Sequence, residues 1–132
     1  MRFDLLVLDA FSSDAVPMHL MTREAFATYA RVLQPRGLLL VHISNRFLDL
    51  EPVVAAAAQA GGWHAIKLFY RDKPHDTPAA TMSLWIALSK GQRPIDLLSA
   101  RDRDWKPLTP RPGFAGWTDD YASILPLLKR SN

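Results

Sequence analysis

The stretch FDLLVLD, residues 3–9, decides the fold of this chain. Its apolar residues follow one another without polar alternation, which is typical of a strand buried on both faces of a sheet. Asp9 closes the run after a length that suits a strand better than a helix. We therefore predict a buried strand over residues 3–8, followed by a polar loop over residues 10–17.

Beyond that loop the apolar pattern changes to a helical period. Thr22 is placed to cap a helix, and Glu24 in the first turn suits the helix dipole. The tetrad QPRG, residues 34–37, predicts a stop, with Gly37 free to take a positive φ. A second apolar run over residues 38–43 then predicts a second buried strand.

The second half of the chain continues this alternation and ends it with two strands. Glu51 and Pro52 open a second predicted helix, which continues through the Ala-rich residues 53–60 and is ended by Gly61 and Gly62. Apolar runs over residues 63–70 and 81–89 predict two more strands, joined by a polar loop and therefore antiparallel. The order β-α-β-α-β-β predicts an α/β fold with a partial doubly wound, Rossmann-like sheet. We expect that sheet to be mostly parallel, with right-handed crossovers and a C-terminal antiparallel hairpin.

The length and composition of the chain fit one domain. Its 132 residues are 48% hydrophobic and 22% charged, so residues 1–132 are predicted to form a single globular unit. Residues 101–132 hold several prolines and predict an irregular tail with a short helix over residues 124–128. No apolar segment is long enough for a signal-peptide core or a membrane span, so a cytoplasmic protein without membrane insertion is expected.

Charge and residue types argue against several functions. The net charge is +3 without a basic block, so nucleic-acid binding is not expected. Cysteine is absent, which excludes disulfides and thiolate sites within this sequence. The four histidines show no metal-ligand spacing, so no metal is expected. Ser12 and Ser13 lack the Gly-x-Ser-x-Gly elbow of serine hydrolases.

Three segments carry a resemblance to a known family. Residues 3–14, FDLLVLDAFSSD, resemble the end of the fourth strand of spermidine synthases, where an Asp-Ser-Ser-Asp-like turn follows an apolar strand. Residues 78–85, PAATMSLW, are similar to the Pro-Ser-Gly-led strand of that family, and residues 117–121, WTDDY, resemble its Thr-Asp-Asp-Tyr tail. The stretch 9–51, with HISNR at residues 42–46, most resembles the spermidine synthase-like (polyamine aminopropyltransferase) proteins that are fused to membrane transporters.

The resemblance implies the C-terminal half of a class I S-adenosylmethionine-dependent methyltransferase-like fold. It also implies a transferase of polyamine biosynthesis that moves an aminopropyl or methyl group from a sulfonium donor. Asp9 would then be the catalytic base, and Asp9 and Ala10 would contact the donor. The residues that would bind the substrate follow the first two strands, with one carboxylate holding an ammonium group of a diamine: Ser12, Ser13, Asp14 and Asn45.

The chain also departs from that family. The family places a Gly-rich turn after its first strand and a ribose-holding acid after its second, and no Gly-x-Gly occurs in this sequence. We therefore expect the isolated chain to bind S-adenosylmethionine or its decarboxylated form weakly or not at all, unless a missing N-terminal half completes the site. A start inside a longer gene would explain that gap. An incomplete or inactive transferase thus stands beside a non-catalytic fragment or protein-interaction module.

Ordinary structural roles stay open for the same residues. Asp9 could satisfy N–H groups of its own loop, residues 12–14 could form a turn, and Asn45 could be a polar strand exit. His42 lies inside the second strand and is expected to be buried and hydrogen-bonded. Because the strand over residues 3–8 would lack one neighbour, it predicts an apolar edge strand and a homodimer through that edge or its flanking helices.

Overall fold

A computed structural model of the chain describes residues 2–9, 20–43, 50–71, 82–108 and 116. The helices and strands in these ranges are β1 (Phe3–Asp9), α1 (Arg23–Val32), β2 (Leu33–Ile43), α2 (Glu51–Gly61), β3 (His64–Arg71), β4 (Met82–Ser89), α3 (Gln92–Arg101) and β5 (Lys106–Pro107). The predicted order of the first six elements is confirmed.

The irregular tail predicted over residues 101–132 lies largely outside the described residues and stays a prediction. Helix α3 includes Arg101, and the short strand β5 adds to the sheet by pairing with β3. The predicted helix over residues 124–128 lies outside the described residues.

The five strands form one mixed sheet in the order β1-β2-β4-β3-β5. Strands β1 and β2 are parallel, whereas the other three pairings are antiparallel. The prediction of a mostly parallel sheet is therefore wrong, and the predicted antiparallel pairing of β3 with β4 is confirmed. The cause is the position of β4, which lies between β2 and β3. Those two strands point the same way, but each is hydrogen-bonded to a strand that points the opposite way.

The QPRG tetrad forms an irregular start to β2 rather than a turn after α1. Phe3 pairs with Leu33 and Leu5 pairs with Leu38, so β2 contains extra residues opposite one short step of β1. Among the described residues only Gly62 and Gly116 have a positive φ, so that expectation for Gly37 is wrong. The requirement at Gly37 is instead a close approach of backbones, because an added Cβ would meet two carbonyl oxygens.

Helices cover both faces of the sheet. Helices α1 and α2 pack on the face that holds the larger core, and the hydroxyl of Thr22 caps α1 by accepting from the N–H of Ala25, as predicted. Helix α3 packs on the other face through Ile95 and Leu98. The fully buried side chains of the larger core include Phe26, Leu39, Val41, Val53, Val54, Ile86 and Leu88.

Strand β1 lies at one edge of the described sheet, with β2 as its single described neighbour. Its side chains alternate between a covered and an open face: Leu6 and Leu8 pack on the larger core, whereas Phe3, Leu5 and Val7 are half-exposed. Burial on both faces is therefore wrong, and the homodimer stays a prediction. No helix in the described ranges is both long and apolar enough to cross a membrane.

Candidate functional site

The carboxyl ends of β1 and β2 lie side by side. Asp9, the last residue of β1, is in register with His42, one residue before the end of β2. Ligands of α/β sheets bind beyond the carboxyl ends of parallel strands, because the loops that leave those ends surround a common crevice. We call this region the carboxyl end of the sheet, and it is the candidate site that the fold provides.

Asp9 is placed at this end by its backbone. The other predicted site residues belong to the two loops that leave β1 and β2, and these loops lie outside the described residues: Ala10, Ser12, Ser13, Asp14 and Asn45. The structure therefore brings the position of Asp9 to the end of β2. The roles predicted for all six residues stay predictions.

An aromatic pair flanks the position of Asp9. His42 is in register with Trp85 of β4, and their ring centroids lie 4.5 Å apart with the ring planes inclined by 27°. Both side chains are partly exposed, so the predicted burial of His42 is wrong. Because side chains in register lie on the same face of a sheet, this stacked pair offers a partly open aromatic surface beside the end of β1. An exposed ring face attracts flat or cationic groups.

A second polar pair lies on the opposite face of the sheet. The Nζ of Lys67 donates to both carboxylate oxygens of Glu51, at 2.7 Å and 3.0 Å, where the first turn of α2 meets β3. The two side chains are only 12% and 10% exposed. Lys67 is in register with Ile86, which faces the larger core, whereas the neighbouring Trp85 faces the other way. The ion pair and the aromatic pair therefore do not form one site.

Sequence reasoning missed both pairs. Lys67 is a lone cation inside an apolar run, and a cation in such a position signals a buried partner because an unpaired buried charge is costly. The sequence around Glu51 indicates only the start of a helix. The stacking of His42 on Trp85 depends on β4 lying next to β2, which no local pattern specifies.

The described residues contain no group of three or more His, Asp or Glu side chains arranged to hold a metal ion. At the carboxyl end the described residues provide one strand-terminal carboxylate position, that of Asp9, and the aromatic surface of His42 and Trp85. Such a combination suits an organic cation, since a carboxylate attracts it and a ring face can hold it.

Comparison with known proteins adds no family to this geometry. No protein-family model matches the sequence. No curated protein matches it either.

Proposed function

We propose that this chain forms part of a cytoplasmic, spermidine synthase-like transferase, which moves an aminopropyl or methyl group from a sulfonium donor to an amine. Asp9 acts as the base, and Asp9 with Ala10 contacts the donor. The substrate is bound by residues of the two loops that leave the carboxyl end: Ser12, Ser13, Asp14 and Asn45. The donor is S-adenosylmethionine or its decarboxylated form.

The proposed step needs a neutral amine and a carboxylate beside it. The amine nitrogen uses its lone pair to form a bond to the carbon next to the sulfonium sulfur. The carbon–sulfur bond breaks, and its electron pair stays on sulfur, which becomes a neutral thioether. Asp9 takes the proton that the nitrogen loses, and the carboxylate of Asp14 holds the second ammonium group of a diamine.

The observation that carries this proposal is the register of Asp9 with His42 at the ends of two parallel strands. It supports a ligand site at the carboxyl end, and the partly exposed rings of His42, on the adjacent strand, and Trp85, stacked on it, suit a cationic amine. The topology gives further support. Three strands point the same way, helices lie on both faces, and β3 and β4 form an antiparallel hairpin in which β4 lies next to β2, which is typical of class I methyltransferase-like folds.

A diamine titration tests the substrate site. We expect putrescine to bind the isolated chain and its affinity to fall by at least about tenfold in Asp9→Asn, because the proposed base lies beside the amine that it deprotonates and a lost charge-assisted contact is worth about 1.5–3 kcal/mol. Asp104→Asn is the matched control, because Asp104 is exposed and lies in the connection before β5. Calorimetry gives the affinity, and circular dichroism checks that each variant is folded. Equal putrescine binding by Asp9→Asn and by the original chain would contradict the assignment.

The donor is tested separately. Because the chain holds no Gly-x-Gly turn to approach the donor, we expect S-adenosylmethionine and its decarboxylated form to bind weakly or not at all. Calorimetric titration of the isolated chain measures this directly. Micromolar donor binding would show that the chain holds a donor site of its own.

One observation favours a second function, a protein-interaction module. Phe3, Leu5 and Val7 leave an apolar stripe half-exposed on β1, and large exposed apolar patches mark interaction surfaces. In this alternative the chain keeps the fold without the chemistry. Neither the original chain nor Asp9→Asn would then bind putrescine.

A further inference from the structure

A groove runs between α3 and the sheet, on the face opposite α1 and α2. Its volume is about 430 Å³. Leu38 and Leu98 supply apolar lining, and the groove is bordered by three arginines: Arg36 at the irregular start of β2, and Arg93 and Arg101 on α3. We call it the arginine groove.

The helix side of the groove alternates charge and apolar surface. Arg93, Leu97 and Arg101 follow one another at intervals of four residues, so they lie along one stripe of α3. Leu97 is 56% exposed, so the helix side of the groove presents apolar surface to solvent. None of the three arginines forms an ion pair with a described residue. The groove therefore combines apolar contact area with positive charge that the described part of the chain does not neutralise.

The apolar surface continues from the groove across β1. Leu5 is in register with Leu38, and Val7 with Leu40, so the open side chains of β1 lie beside the groove on the same face. Four of the five large hydrophobic side chains that are exposed among the described residues belong to this one surface: Phe3, Leu5, Val7 and Leu97. Because these exposed hydrophobic side chains are clustered, they differ from the single exposed hydrophobic residues that are normal on protein surfaces.

The dimensions of the open surface fit a helix. Helix α3 packs over β2, β4 and β3 and leaves β1 uncovered. A helix is about 10 Å wide and neighbouring strands lie about 4.8 Å apart, so one helix beside α3 would cover β1 and the near side of β2.

The charge of the surface selects the kind of helix. A second copy of this chain would bring the same three arginines against the groove, where like charges repel. The phosphates of a nucleic acid would bind the arginines, but the apolar side chains of β1 would then contact a charged phosphate backbone. A helix with an apolar face and flanking carboxylates complements both the apolar face of β1 and the arginines of α3. Its apolar side chains cover β1, and its carboxylates reach the guanidinium groups.

We propose that the arginine groove and the open face of β1 bind an acidic amphipathic helix of a partner protein. This inference rests on the second proposed function, the interaction module, and does not depend on the transferase, because no groove residue lies at the carboxyl end of the sheet. The helix lies beside α3, with its apolar stripe on Leu5, Val7 and Leu38. Its acidic flank faces Arg93 and Arg101.

The test uses a fluorescein-labelled synthetic helix of about 18 residues, long enough at 1.5 Å per residue to span the strand. It carries leucines at helical spacing and glutamates on the flanks; a second peptide has lysine at every glutamate position. We expect the glutamate peptide to bind with one peptide per chain in fluorescence anisotropy, and the lysine peptide to bind at least about tenfold more weakly.

Variants of the chain assign the binding to the groove. In the double variant Arg93→Glu/Arg101→Glu we expect the peptide preference to reverse, so that the lysine peptide binds more tightly than the glutamate peptide. Because the double variant gains affinity for one peptide, that result also shows that it is folded. Arg103→Glu changes an exposed arginine beyond the end of α3 and should leave both affinities unchanged. Leu97→Asp should lower the affinity of the chain for the glutamate peptide by about tenfold.

Three results would overturn the proposal. They are equal binding of both peptides, unchanged binding by the double variant, and a homodimer that Leu97→Asp dissociates, which would assign the surface to a second copy. The diamine and donor titrations report on the carboxyl end, so a failed transferase proposal leaves these peptide results interpretable.

Discussion

The Oε2 atom of Glu51 and the Nζ atom of Lys67 lie 2.7 Å apart in an almost fully buried ion pair that joins α2 to β3. Lys67 also lies near the ring of Phe69, with Nζ 5.3 Å from the ring centroid. The pair holds the first turn of α2 against the sheet. Since α2 follows the strand that ends beside Asp9, this contact also fixes one side of the carboxyl end.

Breaking this pair on one side only is expected to be costly. Lys67→Met or Glu51→Gln should each lower the free energy of unfolding by about 1.5–3 kcal/mol, because each removes a charge-assisted hydrogen-bonded contact from a largely buried place. The double variant should lose clearly less than the sum of the two. Urea denaturation measures all three, and Arg103→Met at an exposed turn position is the control, with an expected change within about 0.5 kcal/mol. Additive losses would mean that the two groups do not depend on each other.

The stability of the chain should depend on Tyr29 at alkaline pH. Its hydroxyl donates to the carbonyl oxygen of Leu20 at 2.8 Å, and burial raises the pKa of Tyr29 above the ordinary value of 10.0. The folded state thus disfavours the phenolate, whereas the unfolded chain ionises at the ordinary pKa. The contribution of Tyr29 is therefore complete below that pKa and is lost as the pH rises through and beyond it.

Tyr29→Phe isolates that contribution. At neutral pH it should cost about 1 kcal/mol of unfolding free energy through the lost hydrogen bond. The difference between the original chain and the variant should then shrink as the pH is raised past about 10, because only the original chain has a phenol to ionise. Chemical denaturation at a series of pH values measures this difference. A difference that stays constant or grows would contradict the raised pKa.

The irregular start of β2 should depend on the absence of a side chain at Gly37. An added Cβ would lie 3.0 Å from the carbonyl oxygen of Gln34 and 3.1 Å from that of Phe3. Gly37→Ala should therefore cost about 1–3 kcal/mol, because two backbone segments would have to move. Gly91→Ala is the control: its nearest contact would be 3.4 Å, and its cost should stay below about 1 kcal/mol. Urea denaturation compares the two variants, and equal costs would argue against the close approach.

Local signals predicted the elements well, since each one depends on neighbours in the sequence. The cap by Thr22 and the left-handed Gly62 at the end of α2 both follow from backbone groups within a few residues. The position of β4 between β2 and β3 does not follow from such signals, because strand order depends on contacts between distant segments. The mostly parallel sheet was predicted wrongly for that reason, although the hairpin itself was recognised.

The candidate site was predictable only in part. The fold carries Asp9 to the carboxyl end, since a strand-terminal acid is visible in the sequence. Lys67 and Glu51 are 16 positions apart, and their pairing needs α2 to pack on β3. The sequence does not predict the open face of β1, because an unbroken apolar run does not show how far the helix on that face, α3, extends over the sheet. That helix extends no further than β2, so Leu5 and Val7 stay half-exposed.

The edge of β1 leads to the last prediction, self-association by strand pairing. Apart from its pairing with β2, β1 has no described neighbour, and an unpaired strand edge presents N–H and C=O groups that another strand can bind. We expect a homodimer whose proportion rises with concentration in light scattering. Val7→Lys should shift it to monomer, because a lysine on an edge strand opposes pairing. Leu97→Lys is the matched control on α3: it changes the same face but leaves the strand edge intact, so the dimer should persist. A wild-type chain that stays monomeric at high concentration would contradict edge pairing, and equal dissociation by both variants would place the contact on the face instead.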